Sequence, residues 1–239
     1  MTKKLSNQIM SYREELLNLI ERNFIFSKKP LNRFKIKKNE NADKNFNKNS
    51  RIAELKNLID SIKNCNLKKN AKKFILGDGE INSSIMIIGE APGSEEEKTG
   101  KTFQGKSGLL LEKMLNSINI QKKNIFSSYA VNFRPPEDRK PTSQEIKRYS
   151  IFLKELISII DPKIVILFGS TAMEAVTGSN ERISNERGKW KEIILKNKTY
   201  LLMITFSPSY LMRFPENKKF SWEDLKKIRQ KILDLKIKL

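Results

Sequence analysis

Apolar residues recur along this chain at two spacings. Over residues 5–22 they fall at Leu5, Ile9, Tyr12, Leu16, Leu19 and Ile20, and over 51–63 at Ile52, Leu55, Leu58, Ile59 and Ile62. Steps of three and four put each set on one helical face. Between 84 and 206 the pattern changes to short runs with no polar alternation: 84–89, 125–131, 164–168 and 200–206. Such runs read as strands buried on both faces. Helical patterns over 107–118, 143–160, 170–177 and 222–236 separate and follow them. Ser107 is the expected cap of the first, Ser143 and Glu145 mark the start of the second, and Pro162 follows its end. Strand and helix in alternation predict an α/β fold: a three-layer α/β/α sandwich around a central four-stranded parallel sheet. Ligands of such sheets bind beyond the carboxyl ends of the strands. The loops after the first, second and fourth strands are therefore the places to look for chemistry.

Residues 27–50 obey neither spacing. They hold eight Lys/Arg against two acids, many asparagines and few apolar anchors. The stretch reads as a solvated tether. It divides the chain into a helical and basic low-complexity extension, 1–50, and a globular domain, 51–239. Two accounts of the tether stand side by side: a codon bias toward Lys, Asn and Ile, or an arm that touches DNA.

Composition narrows the chemistry. The 239 residues carry 47 Lys+Arg and 27 Asp+Glu, a net +20, which points to a polyanionic partner. There is one cysteine, Cys65, and no histidine. This excludes an internal disulfide, a histidine-dependent triad and a histidine-ligated zinc. Any general base is Glu, Asp, Lys or Tyr. No apolar run reaches the ~18 residues of a membrane span. The N-terminal stretch is broken by Arg13, Glu14 and Glu15, unlike a signal peptide. The expected compartment is the cytoplasm, with no membrane partner.

Three loops carry the candidate residues. The first, Gly89-Glu90-Ala91-Pro92-Gly93, makes a tight turn that aims Glu90 into a crevice. It runs on through Phe103 to Gly105-Lys106-Ser107-Gly108, a helix start able to hold a phosphate on free amides. Residues 100–107 also fit the letters of a triphosphate loop, but they follow an acidic loop instead of a strand. Phe103 is either a core residue or a platform for a base. The second loop, Asn132 to Pro141, is stiffened by Pro135 and Pro136 and charged by Arg134, Arg139 and Lys140. The third, Phe206 to Arg213, sets Tyr210, Leu211 and Met212 beside Arg213, with Ser209 as a candidate cap. Apolar residues on a basic loop suit a wedge into a base stack; the plainer alternative is a hydrophobic staple onto the domain.

These loops share their order with Gly77-Asp-Gly79, the run GEAPGSEEEKTGKTFQGKSGLLLEKML, RPPEDRKPTSQEI, PKIVILFGSTAMEAV, RGKW at 187–190 and SPSYLMR. Together, over residues 60–236, they resemble the uracil-DNA glycosylase superfamily. The nearest type is family 4 with its cluster-free, alphaproteobacterial-like relatives. The resemblance implies a glycosylase of base-excision repair that flips deoxyuridine out of single- or double-stranded DNA and hydrolyses its glycosidic bond. It further implies a monomer acting on bacterial nucleoid DNA. Glu90 and Ser207 would be catalytic. Ala91, Pro92, Gly93, Phe103 and Tyr129 would bind the base. Ser107, Arg134, Arg139, Ser209, Tyr210, Leu211 and Arg213 would bind DNA.

The chain also departs from the family pattern. Family 4 holds an iron–sulfur cluster on four cysteines; here Ile62, Cys65, Phe133 and Ser150 stand at or near those places, and no cofactor or metal site is expected. Ser207 replaces a histidine that stabilises the departing uracil anion. Tyr129 replaces an asparagine that reads the base edge, and Asp138 replaces another asparagine. A catalytically weakened or inactive DNA-binding relative is therefore the alternative function.

Overall fold

A computed structural model describes residues 43–62 and 65–238 of the chain. The predicted helix at 5–22 and the tether as far as residue 42 lie outside the described residues. Helix α1, Asp43–Asp60, begins eight residues before the predicted boundary, so the end of the supposed tether is helical. Lys48 shows why the helix extends. Its ammonium donates to the Ile160 carbonyl at 2.7 Å, at the far end of another helix, and to the Ile81 carbonyl at 3.2 Å, in the turn after β1.

The sheet contains the four predicted parallel strands and two more. In chain order the strands are β1 (Asp78–Gly79), β2 (Ile85–Gly89), β3 (Phe126–Tyr129), β4 (Ile164–Phe168), β5 (Trp190–Leu195) and β6 (Lys198–Thr205). Their spatial order is β1-β3-β2-β4-β6-β5. The central four pair in parallel, and β1 and β5 close the edges antiparallel. The edge strands escape the sequence reading for separate reasons. β1 is two residues long, and β5 is only half-buried. In the turn after β5, Lys196 and Asn197 both take positive φ, +48° and +63°, as a two-residue hairpin loop requires.

Alternate residues of each central strand enter opposite cores, which makes the three layers. Met86, Ile88, Val165, Leu167, Leu202 and Ile204 pack toward α1 and toward α2 (Ser143–Ile160). Ile85, Ile87, Ile164, Ile166 and Met203 pack toward Leu111 and Leu115 of one helix, Gly105–Asn116, and Leu225 and Ile228 of another, Lys218–Asp234. The former starts two residues before the prediction, with Gln104 in the cap position instead of Ser107. Thr142 caps α2 in a reciprocal box with Glu145.

The crossing of the chain positions the site. From β2 it moves to β3 on one side, then returns past β2 to β4 on the other. The carboxyl ends of β2 and β4 therefore flank a switch point, where a crevice opens.

Candidate active site

A cleft of about 740 Å³ occupies that switch point. It is lined by every predicted site residue except Arg134 and Leu211. Glu90 leaves the end of β2 and lies over Gly169, at the end of β4. Gly169 has φ +100°, and a Cβ there would collide with the Glu90 carboxylate. Glu90 Oε1 accepts the Thr171 N–H at 3.2 Å. That donor belongs to the first turn of the helix Ser170–Thr177, whose positive end favours the carboxylate.

Glu96 holds the first loop in shape. It is buried, and its carboxylate accepts the N–H groups of Gly93 at 2.9 Å and Gln104 at 2.8 Å. It thereby ties Ala91-Pro92-Gly93 to the segment carrying Phe103. Phe103 has φ +50° and is 7% exposed. It meets both of its predicted descriptions, since its ring packs in the core and also lines the cleft.

Tyr129 forms the floor. Its ring centre is 5.0 Å from that of Phe103, and its hydroxyl accepts the Phe103 N–H at 2.8 Å. Both rings press on Gly89 so closely that a side chain there would clash. Burial, and then the Glu96 carboxylate, push the Tyr129 phenol well above its ordinary value. It is a neutral wall.

Ser207 is 5% exposed. It caps the helix Pro208–Arg213 by accepting the Tyr210 N–H at 3.4 Å, and its hydroxyl lies 3.1 Å from that of Ser209. Ser207, not Ser209, is thus the cap. The loop is stiffened by an aromatic ladder, Phe206–Tyr210 at 4.8 Å and Tyr210–Phe214 at 4.9 Å.

Two expected DNA contacts are corrected. Leu211 is 1% exposed and packs in the core, so it is a staple and not a wedge. Met212, at 41% exposure on the cleft rim, is the apolar residue presented outward. Arg134 is held by both oxygens of Asp138, at 2.7 and 3.0 Å, and by Glu97 at 3.1 Å. Its charge joins two loops and does not face the cleft. Arg139 does reach the cleft, though Glu145 takes its guanidinium through two hydrogen bonds, at 2.9 and 2.7 Å. Lys106, Ser107, Ser209 and Arg213 stand along the rim.

The loop after the third predicted strand was missed. Gly169, Ser170 and Thr171 line the cleft, and Lys140 donates to the Ser170 hydroxyl at 3.1 Å. The signal was present: Gly169 directly follows β4, the strand beside β2.

A family 4 cluster would need four thiolates. The residues at the corresponding places do not fit one. Cys65 is buried with its sulfur 3.1 Å from the Tyr149 hydroxyl. Phe133 lies between Phe74 (5.4 Å, tilted) and Tyr149 (6.1 Å, edge-on), and Ile62 packs on the same core. Ser150 donates to the Lys147 carbonyl at 2.8 Å. Among the described residues, no group of three or more His, Cys, Asp or Glu could hold a metal ion.

A mostly parallel sheet with an acid, an aromatic floor and a basic rim at its switch point defines the class: an α/β protein with its cleft beyond the carboxyl ends of its strands. Comparison with known proteins identifies the family. Residues 76–228 match the uracil DNA glycosylase superfamily. A type-4 uracil-DNA glycosylase of Thermotoga maritima is 33% identical over 168 residues, covering 69% of this chain and 86% of that protein. One from Sulfurisphaera tokodaii is 33% identical over 187 residues, covering 75% and 84%. A DNA polymerase of Bacillus phage SP01 is 30% identical over 160 residues, only 17% of its length. The chain belongs to the uracil-DNA glycosylase superfamily, a family of hydrolases.

Proposed function

We propose that this protein hydrolyses the N-glycosidic bond of uracil, or of a related damaged base, in DNA and so begins base-excision repair. The observation that carries this reading is Glu90, held over Gly169 at the switch point and facing a cleft floored by Phe103 and Tyr129. A flipped base would stack on Phe103. The oxygen of a water would bond to the sugar C1′ as the C1′–N1 bond breaks. The bonding pair would leave on the base, and Glu90 would take the water proton.

Ser207 would face the departing base with a neutral hydroxyl. Losing a strong donor at a developing anion costs roughly 10²–10³ in rate. Activity on uracil is therefore expected to be slow. Lys106, Ser107, Ser209 and Arg213 would take phosphates, and Met212 would enter the vacated stack. The protein would work as a monomer in the cytoplasm, without a cluster.

The decisive experiment is single-turnover incubation with single- and double-stranded uracil oligonucleotides, followed by alkali cleavage. Abasic product that disappears in Glu90→Gln is the expected result. Ser207 and Tyr129 favour a second reading, because both spend hydroxyl bonds within the protein. On that reading the protein binds DNA without cutting the glycosidic bond. It predicts log affinity falling linearly with log salt and no abasic product from any substrate.

A further inference from the structure

Phe206, Tyr210 and Phe214 recur every four residues and form a ladder that leads out of the cleft. Phe206 and Tyr210 line the cleft, and Phe214 follows the helix Pro208–Arg213. Exposure rises along the ladder: Phe206 is buried, Tyr210 is half-buried and Phe214 is 44% exposed. The Asn217 side-chain amide donates to the Tyr210 hydroxyl at 3.2 Å and steadies the middle rung.

The rings are partnered except at one end. Phe206 meets Tyr210 and also Arg187, whose guanidinium carbon lies 5.8 Å from the ring centre. Tyr210 meets Phe206 and Phe214. The exposed Phe220 carries Arg187 at 5.3 Å and Lys219 at 5.1 Å. Phe214 meets Tyr210 and, among the described residues, no other ring or cation. Its setting is basic. Arg213 precedes it, Lys218 and Lys219 follow, and Glu216 is the one acid of residues 212–219. Acids claim Arg134 and Arg139, whereas the side chains of Arg213 and Lys218 make no ion pair among the described residues.

An open aromatic face among uncommitted cations fits a polyanion whose bases are free. In a duplex the faces of each base are covered by its neighbours, so a ring outside the helix meets only edges and phosphates. An unpaired strand offers base faces and phosphates together. We propose that Phe214 is a stacking platform for an unpaired base beside the flipped nucleotide, and that the preferred substrate is single-stranded DNA. This deepens the function proposed above and rests on its premise that the cleft takes DNA. The base adds a fourth rung to the ladder, and Arg213 and Lys218 face the neighbouring phosphates.

The test measures binding of the full-length protein to three uracil-free probes of equal length: an oligo-dT strand, a strand of abasic sites and a blunt duplex. Phe214→Leu keeps apolar volume against Tyr210 but removes the flat face, and Phe214→Trp keeps a flat face. Phe214→Leu should weaken oligo-dT binding about tenfold or more, the usual contribution of one stacked base, with the salt slope unchanged. Its affinity for the abasic strand and the duplex should match the parent's. Phe214→Trp should bind oligo-dT at least as tightly as the parent. An equal loss on oligo-dT and on the abasic strand would overturn the proposal, because the ring would then act without touching bases. So would a loss as large on the duplex, or an unchanged oligo-dT affinity in a variant that dissociates a dimer of the parent, which would give the face to a second copy. A parent that binds no probe at low salt would overturn this proposal and the DNA reading together. A parent that holds oligo-dT through Phe214 but leaves every uracil substrate intact would uphold it and sink only the glycosylase reading.

Discussion

Two regions of this molecule depart from the pattern that the family resemblance implies, and they respond differently. Around Cys65, Ile62, Phe133 and Ser150 stand at or near the places where the resemblance implies cluster ligands. Phe74, Phe133, Tyr149 and Phe152 form a chain of ring contacts through the same core. A structural role is replaced by packing, and the lost stabilisation can be recovered by any well-filled volume. At the cleft, Ser207 and Tyr129 are equally well accommodated: one caps a helix and the other ties down Phe103. Here a satisfied fold does not supply the cationic donor that the resemblance implies at position 207. Neither a serine hydroxyl nor a buried, neutral phenol can hold a positive charge. Stability is fungible among side chains, whereas a charge at one atom is not.

The sharpest way to break this comparison is to attack each region and read both outcomes. Glu90→Gln should lower single-turnover cleavage by about 10²–10⁴, the usual contribution of a positioned general base. Its melting temperature and the salt slope of DNA binding should barely change. Phe133→Ala should do the reverse. It removes a ring that is 3% exposed, which costs about 3–5 kcal/mol in denaturant unfolding. Cleavage per folded molecule should be unchanged. A Phe133→Ala protein of normal stability would show that the aromatic core does not support this region.

Ser207→His should move both readouts in opposite directions. Losing the cap costs about 1 kcal/mol. The imidazole, placed where Ser207 is already 5% exposed, has the cleft as its outlet and gives the departing base a stronger donor. A gain of about tenfold to a hundredfold in rate is expected, with a new pH limb near neutrality that the histidine-free parent lacks. A stable variant with no gain in rate would place the defect at Tyr129 instead.

The sequence made the central sheet readable because its four strands are apolar on both faces. The segments 164–168 and 170–177 match the observed elements residue for residue. Polar ends and pairings were harder. Ser107 resembled a cap, but the chain turns into the helix at Gly105, where φ is +63°. Leu211 reads as a wedge because Tyr210, Leu211 and Met212 form an apolar run beside Arg213; only the packing of its helix shows that it turns inward. Arg134 and Arg139 were counted as DNA contacts from their charge. Sequence gives the charge but not the partner, and acids at 97, 138 and 145 claim both guanidinium groups. Phe214 left no pattern at all, because the open face of a ring is visible only once its neighbours are known.

Arg134 also provides the smallest test of the comparison, since it places the second loop among the structural regions. Its partner Glu97 is 7% exposed. The Lys72 N–H, at 2.7 Å, and the Arg134 guanidinium hold the Glu97 carboxyl below its ordinary value despite burial. In the unfolded chain that carboxyl titrates at its ordinary value, so between the two pKa values the folded protein binds fewer protons. The stabilisation is therefore complete above the ordinary carboxylate range and is lost as pH falls through the lower, folded value. Glu97→Gln keeps the shape but removes the charge. Its melting temperature should be lower than the parent's at neutral pH, and the gap should narrow as pH falls below the carboxylate range. DNA affinity and its salt slope should be unaltered, because the arginine that Glu97 holds does not face the cleft. Thermal unfolding across pH, run beside salt titrations of DNA binding, reads both. A gap constant with pH would remove the ion pair as its cause, and a salt slope that changes by about one phosphate would return Arg134 to the DNA-binding surface.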